Sequence, residues 1–350
     1  MFLDELKRIA ACAAASGPAR ADTIRYARAL LRLLLALALI LLLAACADGR
    51  ASLPSPGVII RITTPTPVPA APTATATPTS SPTPIVSPTP APSLELDGGF
   101  PQQGGFLLIR LLNPPPGLSK ATVRFAGGSY PMLPEGDRWY AVIGIGTEFP
   151  AGDYALEVAA DVILASAVVS VGPGEFPQEY LDLPPESLEL LGDAAAIEEE
   201  KRRLDRLYAG FTPQRLWSGA WVTPTEGPIT NPFGLRRSIN GGPLNPHTGT
   251  DIAAEEGAPV VAAACGRVAL AGQLYLRGNS VIIDHGAGVF SGYHHLESIV
   301  VTEGQPVTAG DLVGYVGATG LVSGPHLHWE AIVGGVRVDP TLWTYRPVEP

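Results

Sequence analysis

Cysteine is nearly missing from these 350 residues: Cys12, Cys46 and Cys265 stand far apart, in none of the paired spacings of a zinc ribbon or a redox dithiol. A disulfide-stapled framework and a dithiol redox centre are thereby excluded. Charge is scarce too, at 16% of residues, and tilts negative, with 23 Lys and Arg against 33 Asp and Glu for a net charge of −10. A protein whose work is to neutralise phosphates would carry the opposite balance, so nucleic acid is not an expected partner. Apolar residues nevertheless make up 46% of the chain, which excludes a wholly disordered protein. A mass of 36.5 kDa exceeds what one ordinary core organises, so two or three linked domains are expected.

The few basic residues are unevenly placed. Lys7, Arg8, Arg20, Arg25, Arg28 and Arg32 precede an unbroken apolar run of 13 residues, Leu33 to Ala45. At about 1.5 Å per residue a helix of that run spans roughly 20 Å, short of the ~30 Å hydrocarbon core of a bilayer. Length and flanking charge favour a signal peptide over residues 1–45. The following Leu43-Ala44-Ala45-Cys46 resembles the lipobox of bacterial lipoproteins, which implies lipidation of Cys46 as the first mature residue. The expected location is extracytoplasmic, with the chain anchored to the cell membrane as a lipoprotein. An uncleaved short anchor or an ordinary cleaved signal would also export the chain.

Twelve of the 36 prolines fall between Ser52 and Ser93, among Thr, Ala and Ser with no apolar periodicity. Residues 46–93 therefore read as the lipidated cysteine followed by an extended spacer. From Leu94 the text changes to short runs of period-two character divided by turn residues, so residues 94–172 are expected to form an all-β domain. Its Gly152–Val158 segment resembles a late strand of bacterial immunoglobulin-like sandwiches. Residues 184–210 predict a helical connector: Leu190, Ala194, Ile197, Lys201, Leu204 and Tyr208 recur at helical steps, and the charge run Glu198 to Arg203 reads as a solvated face.

All six histidines lie between His247 and His328. His247-Thr248-Gly249-Thr250-Asp251 pairs an imidazole with a carboxylate where a loop enters a strand. His326-Leu327-His328 precedes Trp329 to Val333, an apolar strand, and residues i and i+2 of a strand address the same face. Neutral imidazole nitrogens and a carboxylate oxygen suit zinc, and a catalytic zinc keeps three protein ligands and one open position.

Residues from about Trp221 to Trp343 resemble a lysostaphin/LytM-type zinc endopeptidase domain of the kind that cuts peptidoglycan peptides. The likeness rests on Pro232-Phe233-Gly234-Leu235-Arg236, the His247–Asp251 motif, Gly278 to Gly286, Tyr293-His294-His295-Leu296 and Gly324 to Glu330. It implies His247, Asp251 and His328 as zinc ligands, with His295 and His326 as catalytic imidazoles, over a domain spanning 216–345. The implied fold is mainly β: an immunoglobulin-like sandwich, the helical connector, and an antiparallel catalytic domain of the duplicated hybrid motif. The implied partners are peptidoglycan peptides and, through lipid, the membrane, with the need for a protein activator left open.

Strand alternation places His294 opposite His295, as an ordinary surface or packing residue, and His285 reads as a structural turn residue. Glu330 shares a face with His328 and reads as a satisfied sheet residue, with support of that histidine as the alternative, and Cys265 reads as a buried small hydrophobe. Two rivals stand beside the hydrolase. A silent family member that binds wall or activates another hydrolase would lack some of the five positions filled here. A phosphohistidine carrier, resembled by Val307 to Gly314, would not carry an export signal.

Overall fold

The computed structural model describes residues 90–96, 99–182 and 191–349. The expected signal peptide, Cys46 and the spacer up to residue 89 lie outside the described residues, as does the first part of the expected connector, 183–190. Among the described residues no helix is long and apolar enough to cross a membrane.

The first module contains eight strands: β1 (Ser93–Glu95), β2 (Phe106–Leu112), β3 (Thr122–Phe125), β4 (Gly128–Pro131), β5 (Leu133–Glu135), β6 (Arg138–Gly144), β7 (Gly152–Ala159) and β8 (Ile163–Val171). They form two antiparallel sheets, ordered β1-β2-β6-β5 and β4-β3-β7-β8. Alternate residues drive the pairing. Leu107, Ile109 and Leu111 from β2 and Trp139, Ala141 and Ile143 from β6 meet Val123, Phe125, Leu156 and Val158 of the opposite sheet in one core.

The other faces of β2 and β6 are not wet. Phe106, Leu108, Tyr140 and Val142 belong to a second core that continues into the C-terminal module through Trp217, Trp221, Val333, Val338 and Trp343. Phe106 stacks on Trp343 with ring centroids 4.5 Å apart, and Trp343 stacks in turn on Trp221 at 4.7 Å. Each such aromatic removes enough apolar surface from water to contribute on the order of 2–3 kcal/mol. The two modules therefore share a core, and the sandwich is a wall of the C-terminal module.

After β9 (Gln178–Leu181) comes the helix α1 (Ala194–Tyr208), capped by Asp193, whose carboxylate accepts the Ala196 N–H at 2.9 Å. Among the described residues the helix begins at Ala194, where an aspartate can satisfy the free amides of the first turn. Its charge run is not wholly solvated either: Glu198 and Glu199 are exposed, whereas Glu200, Leu204 and Tyr208 are buried. Leu204 and Tyr208 pack on Leu270, Ile282, Phe290 and Ile332.

The C-terminal module adds β10 (Ile229–Asn231), β11 (Arg236–Ile239), β12 (Asn245–Pro246), β13 (Thr250–Ile252), β14 (Pro259–Val261), β15 (Gly266–Leu274), β16 (Gly278–Gly286), β17 (Val289–Ile299), β18 (Pro306–Val307), β19 (Leu312–Val316), β20 (Leu327–Val333) and β21 (Val336–Val338). Its main sheet runs β10-β13-β20-β17-β16-β15-β18 with antiparallel neighbours, and β14, β19 and β21 attach beside it. The hairpin of β11 and β12 carries a third strand, β9, paired in parallel with β11. One face of β20 sends Leu327, Trp329, Ala331 and Val333 into the shared core, while Ile332, on the other face, packs under α1. That other face also bears His328 and Glu330.

Candidate metal centre

Cross-strand register builds the site. Asp251 of β13 lies directly opposite His328 of β20, so both side chains leave the same face of the sheet at adjacent strands. His247 arrives from the loop after β12, held by a hydrogen bond from its N–H to the Leu235 carbonyl (2.8 Å). The loop rests so close to β20 that a Cβ on Gly249 would stand 2.5 Å from the Trp329 oxygen and 2.9 Å from His328 Nε2. Only glycine fits there.

Three ligand atoms converge: His247 Nε2 and His328 Nδ1 are 3.0 Å apart, His328 Nδ1 and Asp251 Oδ1 2.8 Å, and His247 Nε2 and Asp251 Oδ1 3.2 Å. Among the described residues these three side chains form the cluster able to hold a metal ion. Tetrahedral ligands at about 2.0–2.1 Å from zinc would stand roughly 3.3 Å from one another, so two imidazoles and a carboxylate at this spacing fit that ion's donor set. The other imidazole nitrogens are already engaged. His247 Nδ1 is 3.1 Å from the Pro232 oxygen, and His328 Nε2 is 3.2 Å from Glu330 Oε1, so with an ion held between them His247 Nε2 and His328 Nδ1 would be the nitrogens left to turn lone pairs toward it. Burial would raise the Asp251 carboxyl, but hydrogen bonds with His247 and His328 outweigh it and hold Asp251 well below the usual carboxylate range. It is an anion, as a ligand must be.

His295 and His326 stand beside this point, their ring centroids 5.0 Å apart, with His295 5.8 Å from His328. His295 Nδ1 lies 2.8 Å from the Thr319 oxygen and His326 Nδ1 2.9 Å from that of Gly324. In each ring Nδ1–H donates to a carbonyl, which leaves Nε2 as the nitrogen free to serve the site. Burial, then the neighbouring His328, push the His295 pKa down to about 2, and its ring is neutral.

His295 reaches the site through a break in its strand. Its φ is +62°, and the β16–β17 register shifts between Asn279↔Leu296 and Val281↔Tyr293, where β17 carries one extra residue. This overturns the expected alternation for His294. That residue is fully buried, directly opposite His328 on the same face, with its ring 5.7 Å from that ligand and its Nε2 3.6 Å from Glu330 Oε2. Two consecutive histidines approach one ligand because the bulge re-aims the second.

For Glu330 the structure favours the alternative reading, a partner of His328, over a plain sheet residue. It is fully buried, and its Oε1 receives Thr248 Oγ1 at 2.7 Å and Arg277 Nη2 at 2.8 Å besides the His328 ring. Asn231 was not singled out in the sequence at all, yet its Nδ2–H donates to Asp251 Oδ2 at 2.8 Å, and Arg237 Nη2 donates to Asn231 Oδ1 at 3.1 Å. Motif spacing marks ligands; it gives no sign of which distant side chains will hold them.

His285 lies away from the centre, and it is structural. Fully buried, it places Nδ1 2.8 Å from the Cys265 oxygen and Nε2 2.8 Å from Ser291 Oγ, a set of partners made for the neutral ring. Cys265 itself is buried. Burial pushes the His285 pKa down to about 4. In the unfolded chain it returns to about 6.5, so between those values the unfolded state takes up a proton that the folded state refuses. The contribution is intact above pH 6.5 and is lost as pH falls toward 4, at about 1.4 kcal/mol per pH unit. Denaturant unfolding at pH 7 and pH 5 should show this loss in the wild type and a smaller one in His285→Gln; equal losses would assign the acid sensitivity elsewhere.

A largely buried His2Asp cluster flanked by two more imidazoles, on one face of an antiparallel sheet, defines a metallohydrolase-type centre. Comparison with known proteins agrees. Residues 245–340 match peptidase family M23. A crystal structure assigned to peptidase M23 from Pseudomonas aeruginosa is 31% identical, covers 70% of this chain and 95% of that one, and superposes with a TM-score of 0.53. The chain belongs to peptidase family M23, a metallopeptidase family. It is also 42% identical over 112 residues to the DD-carboxypeptidase/endopeptidase Mpg of Neisseria meningitidis, a match covering 32% of this chain and 26% of Mpg. With the peptidoglycan DD-endopeptidase ShyB of Vibrio cholerae it shares 36% over 150 residues, 42% of this chain and 35% of ShyB. The matches thus span about a quarter to a third of these curated relatives.

Proposed function

We propose that this protein is a zinc-dependent endopeptidase that hydrolyses peptide bonds in the stem peptides or cross-bridges of peptidoglycan. The observation that carries the proposal is the convergence of His247 Nε2, Asp251 Oδ1 and His328 Nδ1 within 3.2 Å of one another, with the imidazoles of His295 and His326 alongside. The relatives named for peptidoglycan endopeptidase activity supply the substrate class.

His247, Asp251 and His328 would hold the ion. When bound, zinc supplies Lewis acidity to a scissile carbonyl and lowers the pKa of a nearby water. The chain's own residues do the rest. The Nε2 lone pairs of His295 and His326 are positioned to take a proton from the attacking water and, once protonated, to deliver it to the departing amine. Because Thr319 and Gly324 carbonyls fix both Nδ1–H groups, neither ring needs to reorient between those steps.

Residues 1–46 support attachment by lipid at Cys46 and work outside the cytoplasm, with the Pro/Thr-rich spacer giving reach toward the wall. The test is digestion of purified sacculi by the full chain, with new amine termini located by mass spectrometry. We expect cleavage that a chelator abolishes and zinc restores. His295→Ala should retain the metal while losing at least about 100-fold in turnover, the usual weight of a general acid or base. Metal-loaded wild type that releases no amine termini would overturn the proposal.

A further inference from the structure

Behind the metal ligands a buried chain of charges leads out of the peptidase module and into the connector helix. Glu200 of α1 has a side chain only 3% exposed. Its Oε1 takes Arg277 Nη1 at 2.7 Å, and its Oε2 accepts the Leu276 backbone N–H at 2.7 Å. The other arm of the Arg277 guanidinium, Nη2, reaches Glu330 Oε1 at 2.8 Å. That same oxygen stands 3.2 Å from His328 Nε2, the ring atom turned away from the ligand cluster. Arg277 acts on the site a second way, because its carbonyl oxygen accepts the backbone N–H of His295 at 2.9 Å, at the bulge.

We propose that α1 is a working part of the metal centre: Glu200 fixes Arg277, Arg277 fixes Glu330, and Glu330 takes the Nε2–H of His328 so that Nδ1 faces the ion. The inference rests on the metallopeptidase function proposed above and assigns three positioning residues to it. The physical grounds are orientation and charge. An imidazole that ligates through one nitrogen needs an acceptor at the other to fix its tautomer and ring plane. A buried carboxylate can serve only if its charge is matched, and Arg277 is the guanidinium nearest to Glu330, with Arg337 Nε farther away at 3.5 Å. Arg277 in turn is aimed by Glu200, since a long, freely rotating side chain would otherwise reach Glu330 in only a fraction of its rotamers. The helix lies on the same sheet face as the ligands, so the chain of contacts needs no detour through solvent.

The test measures cobalt(II) affinity and visible absorption of the full chain, alongside the melting temperature of the metal-free protein. Glu330→Gln should weaken cobalt binding by about 10–100-fold, the usual cost of losing a ligand's hydrogen-bond partner. Glu200→Ala should weaken it by about tenfold and change the absorption bands, but add little in the Glu330→Gln background, because its influence passes through that carboxylate. Glu200→Gln keeps acceptors for helix docking and carries the test should the alanine variant fold poorly. Unchanged affinity and spectrum in the Glu200 variants, with only the melting temperature lowered, would reduce α1 to a packing role and overturn the inference. Equal losses in both backgrounds would overturn it too. A wild type that binds no cobalt would remove the metal reading itself, and the inference with it.

Discussion

Replacing Asp251 with Asn is expected to remove metal binding and peptidoglycan hydrolysis together while leaving the fold in place. Asparagine keeps the size and the β13 register opposite His328, so packing changes little. What it loses is the anionic oxygen that His247 Nε2 and His328 Nδ1 both approach, at 3.2 and 2.8 Å. A neutral amide is a poor zinc ligand, and two imidazoles alone leave the ion mostly to water. The loss in zinc affinity should exceed the about 10–100-fold typical of a residue that merely supports a ligand, and release of amine termini from sacculi should fall to background. Competition with a chromophoric chelator measures the first and mass spectrometry the second. Near-normal affinity and turnover in Asp251→Asn would mean that the metal and the chemistry sit elsewhere.

The second large effect concerns the shared core. Phe106→Ala, a change in the first module, is expected to destabilise the entire described chain by about 3–5 kcal/mol and to lower a single melting transition by on the order of 10 °C. Phe106 is fully buried, edge-on to Phe100 and stacked on Trp343, which also contacts Trp217 and Trp221. Removing the ring leaves a cavity bounded by tryptophans from the last turn of the chain and from the lead-in to the peptidase module. Polar contacts cross the same boundary: Arg215 pairs with Glu135 of β5, and Arg110 of β2 donates to the Glu349 carbonyl. Calorimetry of wild type and variant checks this. Two transitions, with only one displaced by Phe106→Ala, would show that the modules unfold independently.

The ligand candidates were legible because their geometry is local: an i, i+2 pair on a strand and an i, i+4 pair at a strand entrance need only the pleat to point them, and the family resemblance then set His328 apart from His326. The mainly β class was legible from short period-two runs for the same reason. What stayed hidden depended on partners far along the chain. Phe106–Leu112 is apolar almost without interruption, the mark of a strand covered on both faces, yet nothing in the segment names its second cover. Glu200 sits in a run of three glutamates and looks solvated until Arg277, 77 residues later, is placed beside it. The facing of His294 and His295 escapes the alternation rule because β17 bulges between them and the next pair, and a bulge leaves no fixed residue type behind it.

That bulge also sets how such a site can arise. On a regular strand every second side chain is lost to the far face, so no exchange of one residue for another along β17 could bring both His294 and His295 toward His328. The arrangement depends on chain length. An altered codon can change which group is presented at either position; only the gain or loss of a whole codon can create or abolish the presentation. Such an event would also reverse the facing of every residue between it and the next turn. A histidine pair of this kind is therefore easy to degrade in chemistry and hard to rebuild in geometry.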